Sequence, residues 1–523
     1  MSTNKYEQQD SHRGIIRSTS IISLGTLSSR LLGFVRDIVL AKMLGTAMRA
    51  DAFFVALRIP NLFRDIVGEG ATNSAVVPVV SEYAQNKSKE ELWRFVSVLF
   101  VLALIMLSAI TVVGIIFAPV LVRVIAPGFL EDPQKLELTI RLTRLMFPYL
   151  IFIGLTAYFM GILYTFRSFY VPAFSPCLLN VAIIISAFFA SKNMPEPTIG
   201  LAIGVLIGGI AQLVVQIGPV LGKGIRFRRP KTLVHPGARQ IGRLLIPRLF
   251  GTAIYQLTIF VDTFCASLSF VIGTGGIAAV YYANRIVQFP LGVVSIALAS
   301  AILPTLSAQA VRQDIDQLKK TLIFSLKNTI FVMLPSTVFL LLLSTPVIRI
   351  LFERGAFNAE STRITSLALM FYALGLVGFG GIKIMVTAFH ALQDTKTPVR
   401  IAAWCLAINT VLKFLLMWPL KIGGIALASA IAATVNFIVL FIILDRRLGQ
   451  MTRVMISYFG KTTLATLGMG LAVILSMQFL TMTHEVIRLI LTGVISLVAF
   501  CGISYFLKIE QIGYILRWIS ARR

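Results

Sequence analysis

Charge is scarce in this chain of 523 residues: Asp, Glu, Lys and Arg make up 13%, against roughly 25% in soluble domains. Such a shortage excludes the surface of a soluble enzyme and the composition of a disordered chain. Cysteine is rare too. Cys177, Cys265, Cys405 and Cys501 each sit inside an apolar run and none forms a CxxC, so a disulfide scaffold is excluded and the four read as small buried hydrophobes. Catalytic material is almost missing. His12, His235 and His484 fall in expected tails or loops, and His390 with Asp394 reads as a helix-end hydrogen bond rather than an acid–base pair. There is no metal-ligand cluster, no nucleophile elbow and no P-loop, so no catalytic residue, metal or bound cofactor is expected. No signal peptide with a cleavage site is visible in the polar first 14 residues.

Long uncharged runs are present instead. Phe95–Val122 is 28 residues, Pro197–Gly222 and Ile286–Val311 are 26 each, and Ile422–Leu444 is 23. A bilayer core takes about 20 apolar residues as helix. The chain is therefore expected to be an all-α polytopic membrane protein. Its fourteen spans run roughly over 15–41, 51–80, 95–118, 142–165, 171–191, 198–222, 241–268, 276–307, 324–347, 364–390, 399–419, 422–444, 462–482 and 488–507.

The net charge of +26 reads as cytoplasmic loop charge rather than as a nucleic-acid surface. The side holding both termini and the even loops carries 28 Lys and Arg, the other side 12, which places both termini in the cytoplasm. The densest basic stretch, Lys223–Arg243, reads as a cytoplasmic linker that meets anionic headgroups. Motifs on its two sides recur at near-constant offset. Pro78-Val-Val-Ser81 matches Pro304-Thr-Leu-Ser307 at 226, Arg58-Ile59 matches Arg285-Ile286 at 227, Pro119 matches Pro346 at 227, and Pro172 matches Pro398 at 226. Six spans per repeat is an even number, so the repeats insert in the same orientation, with a substrate chamber expected between two lobes. The expected parts are an N-terminal lobe over 1–222, the linker over 223–240, a C-terminal lobe over 241–447 and a helical hairpin over 448–523.

Charges inside spans are costly, at least about 2.5–3.5 kcal/mol each at mid-membrane, so they need a polar chamber or a partner. Eight cations fall there, Arg30, Arg36, Arg58, Arg64, Arg248, Arg285, Lys383 and Lys413, against five acids, Asp37, Asp51, Asp65, Glu69 and Asp262. The excess of three positive charges, mostly arginine, suits a phosphate or diphosphate guest. Arg248 and Lys413 are expected to snorkel at helix ends or to form local ion pairs. Asp51, Arg58 and Asp65 are seven apart, but Pro60 resets the register, so spacing leaves open whether Arg58 or Arg64 faces the chamber. Gly200, Gly204 and Gly208 read as a packing seam, whereas Gly378, Gly380 and Gly381 read equally as packing or as a bend.

Several longer motifs carry a family resemblance. They are Ser29-Arg-Leu-Leu-Gly-Phe-Val-Arg-Asp37, Ala50-Asp-Ala-Phe-Phe-Val-Ala56, Pro60-Asn-Leu-Phe-Arg64, Gly68-Glu-Gly70, Val77-Pro-Val-Val-Ser-Glu-Tyr83, Ala126-Pro-Gly-Phe129, Phe147-Pro-Tyr149, Tyr281-Tyr-Ala-Asn-Arg-Ile-Val-Gln-Phe-Pro290 and Asp394-Thr-Lys-Thr-Pro398. Together they resemble the MurJ (MviN) family of lipid II flippases, in the MOP transporter superfamily. The resemblance implies MATE-like paired six-helix lobes plus two C-terminal helices in the bacterial inner membrane. It also implies lipid II, the undecaprenyl-diphosphate-linked peptidoglycan precursor, as the substrate. The family's functional positions match Arg30, Arg36, Asp37, Asp51, Arg64, Glu69 and Arg285. The match favours Arg64 over Arg58. Asn284 and Gln288 stand where some relatives carry acids, which puts an acid-dependent gate at Arg285 in doubt. Expected partners are lipid II, membrane lipids and other cell-wall synthesis proteins, with a membrane potential or ion gradient as energy source. The rivals are an O-antigen flippase, which the motifs argue against, a MATE-like cation exporter, which the positive excess argues against, and a polyprenyl-phosphate transferase, for which no acidic metal pair is seen.

Overall fold

The computed structural model describes residues 3–64, 75–480 and 484–520. Regular structure among them is helical throughout. The chain divides into two compact units, Met1–Phe264 and Cys265–Arg523. The first holds α1 (Thr3–Leu44), α2 (Met48–Arg64), α3 (Val77–Asn86), α4 (Lys89–Ile125), α5 (Pro133–Met146), α6 (Tyr149–Thr165), α7 (Tyr170–Asn193), α8 (Pro197–Gly222) and most of α9 (Pro236–Ser267). The second holds α10 (Ser269–Ile272), α11 (Gly276–Pro290), α12 (Ala297–Val311), α13 (Ile315–Phe352), α14 (Ala359–Ala373), α15 (Leu376–Ala391), α16 (Lys396–Leu420), α17 (Ile422–Leu448), α18 (Met451–Phe479), α19 (Glu485–Phe506) and α20 (Glu510–Ser520).

Among the described residues ten stretches are long and apolar enough to cross a membrane, and α14 with α15, bent by 48°, makes an eleventh. This is a multi-pass membrane protein. The expected first, second and seventh spans fall on α1, on α2 with α3, and on α9, which are not among the eleven. These three carry most of the expected intramembrane charge, and residues 65–74 of the second lie outside the described residues.

Between apolar runs, short polar residues close the helix ends. Ser88 accepts from the Glu91 amide at the start of α4, and Asp132 from the Lys135 amide at the start of α5, with Pro133 following it. Asp314 and Asn358 do the same for α13 and α14. The repeat seen in the motifs recurs in the elements: α13, α14 and α16 each begin 226 residues after α4, α5 and α7.

The glycines resolve into packing positions. A Cβ on Gly204 would lie 2.4 Å from Ser186 Oγ, which seats α8 against α7 as expected. For the second string the packing reading wins. A Cβ on Gly378 would meet the Thr434 backbone at 2.8 Å and one on Gly381 the Phe437 ring at 2.4 Å, while the bend of the pair lies earlier, at the break between α14 and α15.

Asp394 does make helix-end hydrogen bonds, but they come from Thr397 and Arg447 and not from His390, which is exposed. Asp394 accepts from the Thr397 amide (3.0 Å), the Thr397 hydroxyl (2.7 Å) and Arg447 Nη1 (2.7 Å). The amide first, then the hydroxyl and the guanidinium, hold its carboxyl down to about 2. A depressed carboxyl stabilises the fold above its ordinary value near about 4 and loses that contribution as pH falls through about 2. Thermal unfolding of the detergent-solubilised protein should therefore show Asp394→Ala costing about 1 kcal/mol at pH near 7, as lost caps do. The difference from the unaltered protein should shrink between about pH 4 and 2.

Candidate substrate-binding site

Arg36 on α1 is held by hydrogen bonds from its guanidinium. Its Nε and Nη2 donate to Asp37 Oδ1 at 3.0 and 2.8 Å, and its Nη1 donates to Asn180 Oδ1 on α7 at 3.0 Å. Asn180 is itself fixed, since its Nδ2 donates to the Ser29 carbonyl at 3.1 Å. Asp37 is fully buried. An arginine in this setting has a set orientation, and the acid beside it offsets the cost of its charge. Arg30, one face away, is exposed on α1. Arg30 stands seven residues before Asp37 on the unbroken α1, and Asp37 pairs with its neighbour Arg36.

Asp51 near the start of α2 forms a buried ion pair, its Oδ2 accepting from Lys135 Nζ at 2.7 Å. Lys135 also lies 4.2 Å from the centre of the Phe129 ring. Both partners are nearly inaccessible, at 1% and 4% exposure, so α2 is locked to α5 by a pair that neither helix tolerates broken. At the repeat offset of 226 the second unit carries Ile277 and Ser361, so the pair belongs to the first unit only.

Arg58 and Arg64 have different surroundings. Nη1 of Arg58 donates to Thr263 Oγ1 on α9. Beside it lies a cavity of about 10 Å³, room for one water, lined by Ile59, Leu62, Ile125, Ile259 and Phe260. Arg64 is half-buried and ends α2. Asp65, Glu69 and the side chain of Arg248 lie outside the described residues.

In the second unit Arg285 is half-buried on α11. Its helix is anchored by the buried Tyr282, whose ring lies 5.2 Å from Phe352 and 5.6 Å from Phe357. Asn284 is half-buried and Gln288 exposed. After Pro290 the chain follows a π-helical stretch, Leu291–Ile296, against which Gly380 packs closely. Lys383 is exposed, whereas Lys413 is fully buried within α16. The snorkelling expectation for Lys413 is corrected accordingly: a side chain with no exposure does not reach an interface. Among the described residues no group of His, Cys, Asp and Glu is arranged to hold a metal ion.

Three kinds of comparison bear on this arrangement. The family model for lipid II flippase MurJ matches residues 40–495. The chain belongs to the MurJ family. A probable lipid II flippase MurJ of Vibrio cholerae is 34% identical over 438 residues, covering 82% of each chain. That of Buchnera aphidicola is 33% identical over 500 residues, covering 94% of this chain and 96% of the relative. A solved lipid II flippase MurJ in an inward closed conformation matches with a TM-score of 0.81 at 28% identity, covering 94% of this chain and 99% of the other. A multidrug MATE transporter of the MOP superfamily, in an inward-facing conformation, matches at TM-score 0.67 and 15% identity, which shows the fold alone. The matches favour the MurJ reading over the MATE and O-antigen rivals.

Three partners of these charged residues were missed by the sequence reading: Lys135, Asn180 and Thr263. A lone amide such as Asn180 inside an apolar run is a signal in itself, because it needs a partner at that depth. Lys135 follows Asp132-Pro133 at an expected loop, and nothing in its context marks it as buried.

Proposed function

We propose that this chain carries lipid II from the inner to the outer leaflet of the bacterial cytoplasmic membrane, by alternating access. The observation that carries this reading is the match to the lipid II flippase MurJ model along residues 40–495. Arg30, Arg36, Arg64 and Arg285 bind the diphosphate, with Asp37 setting the orientation of Arg36 and Asp51 and Glu69 adjusting the net charge. The prenyl tail stays in lipid throughout. The protein acts as a transporter without chemistry of its own and without a bound cofactor. Both termini lie in the cytoplasm, as the Lys and Arg count favours. Each positive charge moved through the field is worth about 2.3 kcal/mol per 100 mV, so an inside-negative potential draws the emptied cationic chamber back to its inward-facing state.

Growth complementation tests the reading. In a bacterium depleted of its own lipid II flippase, expression of this chain should restore growth and cell shape. Lysis on depletion despite abundant protein in the membrane would refute it.

A further inference from the structure

The loop between α8 and α9 is built, not merely threaded. No acid occurs between Glu196 and Asp262, while Lys223, Arg226, Arg228, Arg229 and Lys231 fall within nine residues. A connector with no other task would be a flexible Gly- or Ser-rich coil. Here Ile225 is buried at 2% exposure, and the Phe227 ring packs 5.3 Å from Phe100 and 5.9 Å from Phe159. The Arg228 amide donates to Ser97 Oγ at 2.9 Å. Buried His235 closes the loop: Nε2 lies 3.1 Å from Glu91 Oε1, Nδ1 accepts from the Gly237 amide at 3.2 Å, and the ring stacks 4.9 Å from Phe95. With the backbone fixed in this way, the guanidinium groups of Arg226 and Arg228 lie 5.3 and 5.4 Å from the centre of the Trp93 ring. All five cations are exposed, and beside them Val234 stands 87% exposed.

Exposed cations over a tryptophan, next to an apolar tip, have the chemistry of a bilayer interface. Indole rings settle at headgroup depth, and juxtamembrane cations draw anionic lipid. We propose that this loop is a docking surface for anionic phospholipid headgroups of the leaflet it faces, with Arg226, Arg228 and Arg229 on the phosphates and Val234 among the acyl chains. The proposal does not depend on lipid II being the cargo.

Trp93 supplies its own probe. The chain has four tryptophans, so Trp404→Phe, Trp418→Phe and Trp518→Phe leave Trp93 as the sole indole. This full-length protein, reconstituted into vesicles, is titrated with phosphatidylglycerol or phosphatidylcholine brominated near the headgroup. Quenching by the anionic lipid should set in at several-fold lower mole fraction, since each cation in contact is worth about fivefold in association at low salt. Arg226→Gln/Arg228→Gln/Arg229→Gln should bring the two lipids close together, and so should salt near about 1 M on the unaltered loop. Equal quenching by the two lipids with the unaltered loop would overturn the proposal, as would a preference that survives both high salt and the triple substitution. The salt series needs no loop substitution, so the test stands even if the triple variant misfolds.

Discussion

Arg36→Ala and Arg285→Ala should each abolish lipid II flipping while the protein still inserts into the membrane at normal levels. Losing one charged contact to a desolvated phosphate costs about 2–5 kcal/mol, by analogy with truncating a buried charge pair. At about 1.4 kcal/mol per decade that is a tenfold loss or far more. Arg30→Ala belongs to the same class. The lysine versions separate charge from geometry, because lysine keeps the charge but has no planar fork. Arg36 commits donors to both Asp37 and Asn180, so Arg36→Lys should lose most activity. Arg30 is exposed on its helix, so Arg30→Lys should keep part of it. Arg58→Ala is the internal control. Its hydrogen bond to Thr263 ties α2 to α9, so it should lower thermal stability yet impair flipping less than Arg64→Ala. The readout is lipid II exposed at the outer leaflet, in cells producing each variant at equal levels. An essential Arg58 with a dispensable Arg64 would reverse the assignment made across the Pro60 kink.

The second large effect is on folding. Asp51→Asn or Lys135→Met alone leaves a buried charge without its partner, which costs about 3–5 kcal/mol. Each single variant should therefore show low yield and a sharply lower Tm in detergent. The Asp51→Asn/Lys135→Met double variant should recover much of the loss, because replacing both ends of a buried pair is often near neutral. Thermal unfolding of all four proteins measures the coupling directly. Additive losses would mean that the 2.7 Å contact does not carry the stability of α2 against α5. If the double variant is stable yet inactive, Asp51 has a transport role beyond holding Lys135.

Much of this fold was legible in the sequence, because a bilayer makes hydropathy and helix the same signal. Runs such as Pro197–Gly222 and Ile422–Leu444 were found nearly to the residue, since they meet lipid or small-residue seams and carry no charge. The breaks inside spans were not visible. Phe147-Pro148 divides α5 from α6 three residues after Arg144, and the 48° bend of α14 and α15 sits at Leu374-Gly375 within unbroken apolar sequence. At the site, the arginines stood out because cations are rare at depth. Their partners did not: Asn180 lies 144 residues from Arg36 and Lys135 lies 84 from Asp51, distances that periodicity along one helix cannot bridge. Nor did periodicity show that Arg36, one residue before Asp37, turns its guanidinium onto that acid. Of the two expectations for Lys413, snorkelling or a local ion pair, its complete burial within α16 goes against the first.

Whether this chain moves lipid II across the bilayer is decided by where lipid II sits when this chain is the sole flippase of the cell. A membrane-impermeant reagent that modifies the lipid II headgroup reads the outer-leaflet fraction before and after the chain is induced. Induction should bring lipid II within reach of the reagent, and Arg36→Ala at equal abundance should leave it out of reach. Lipid II that stays protected with the unaltered chain abundant in the membrane, or becomes exposed equally well with Arg30→Ala and Arg285→Ala combined, would contradict the account.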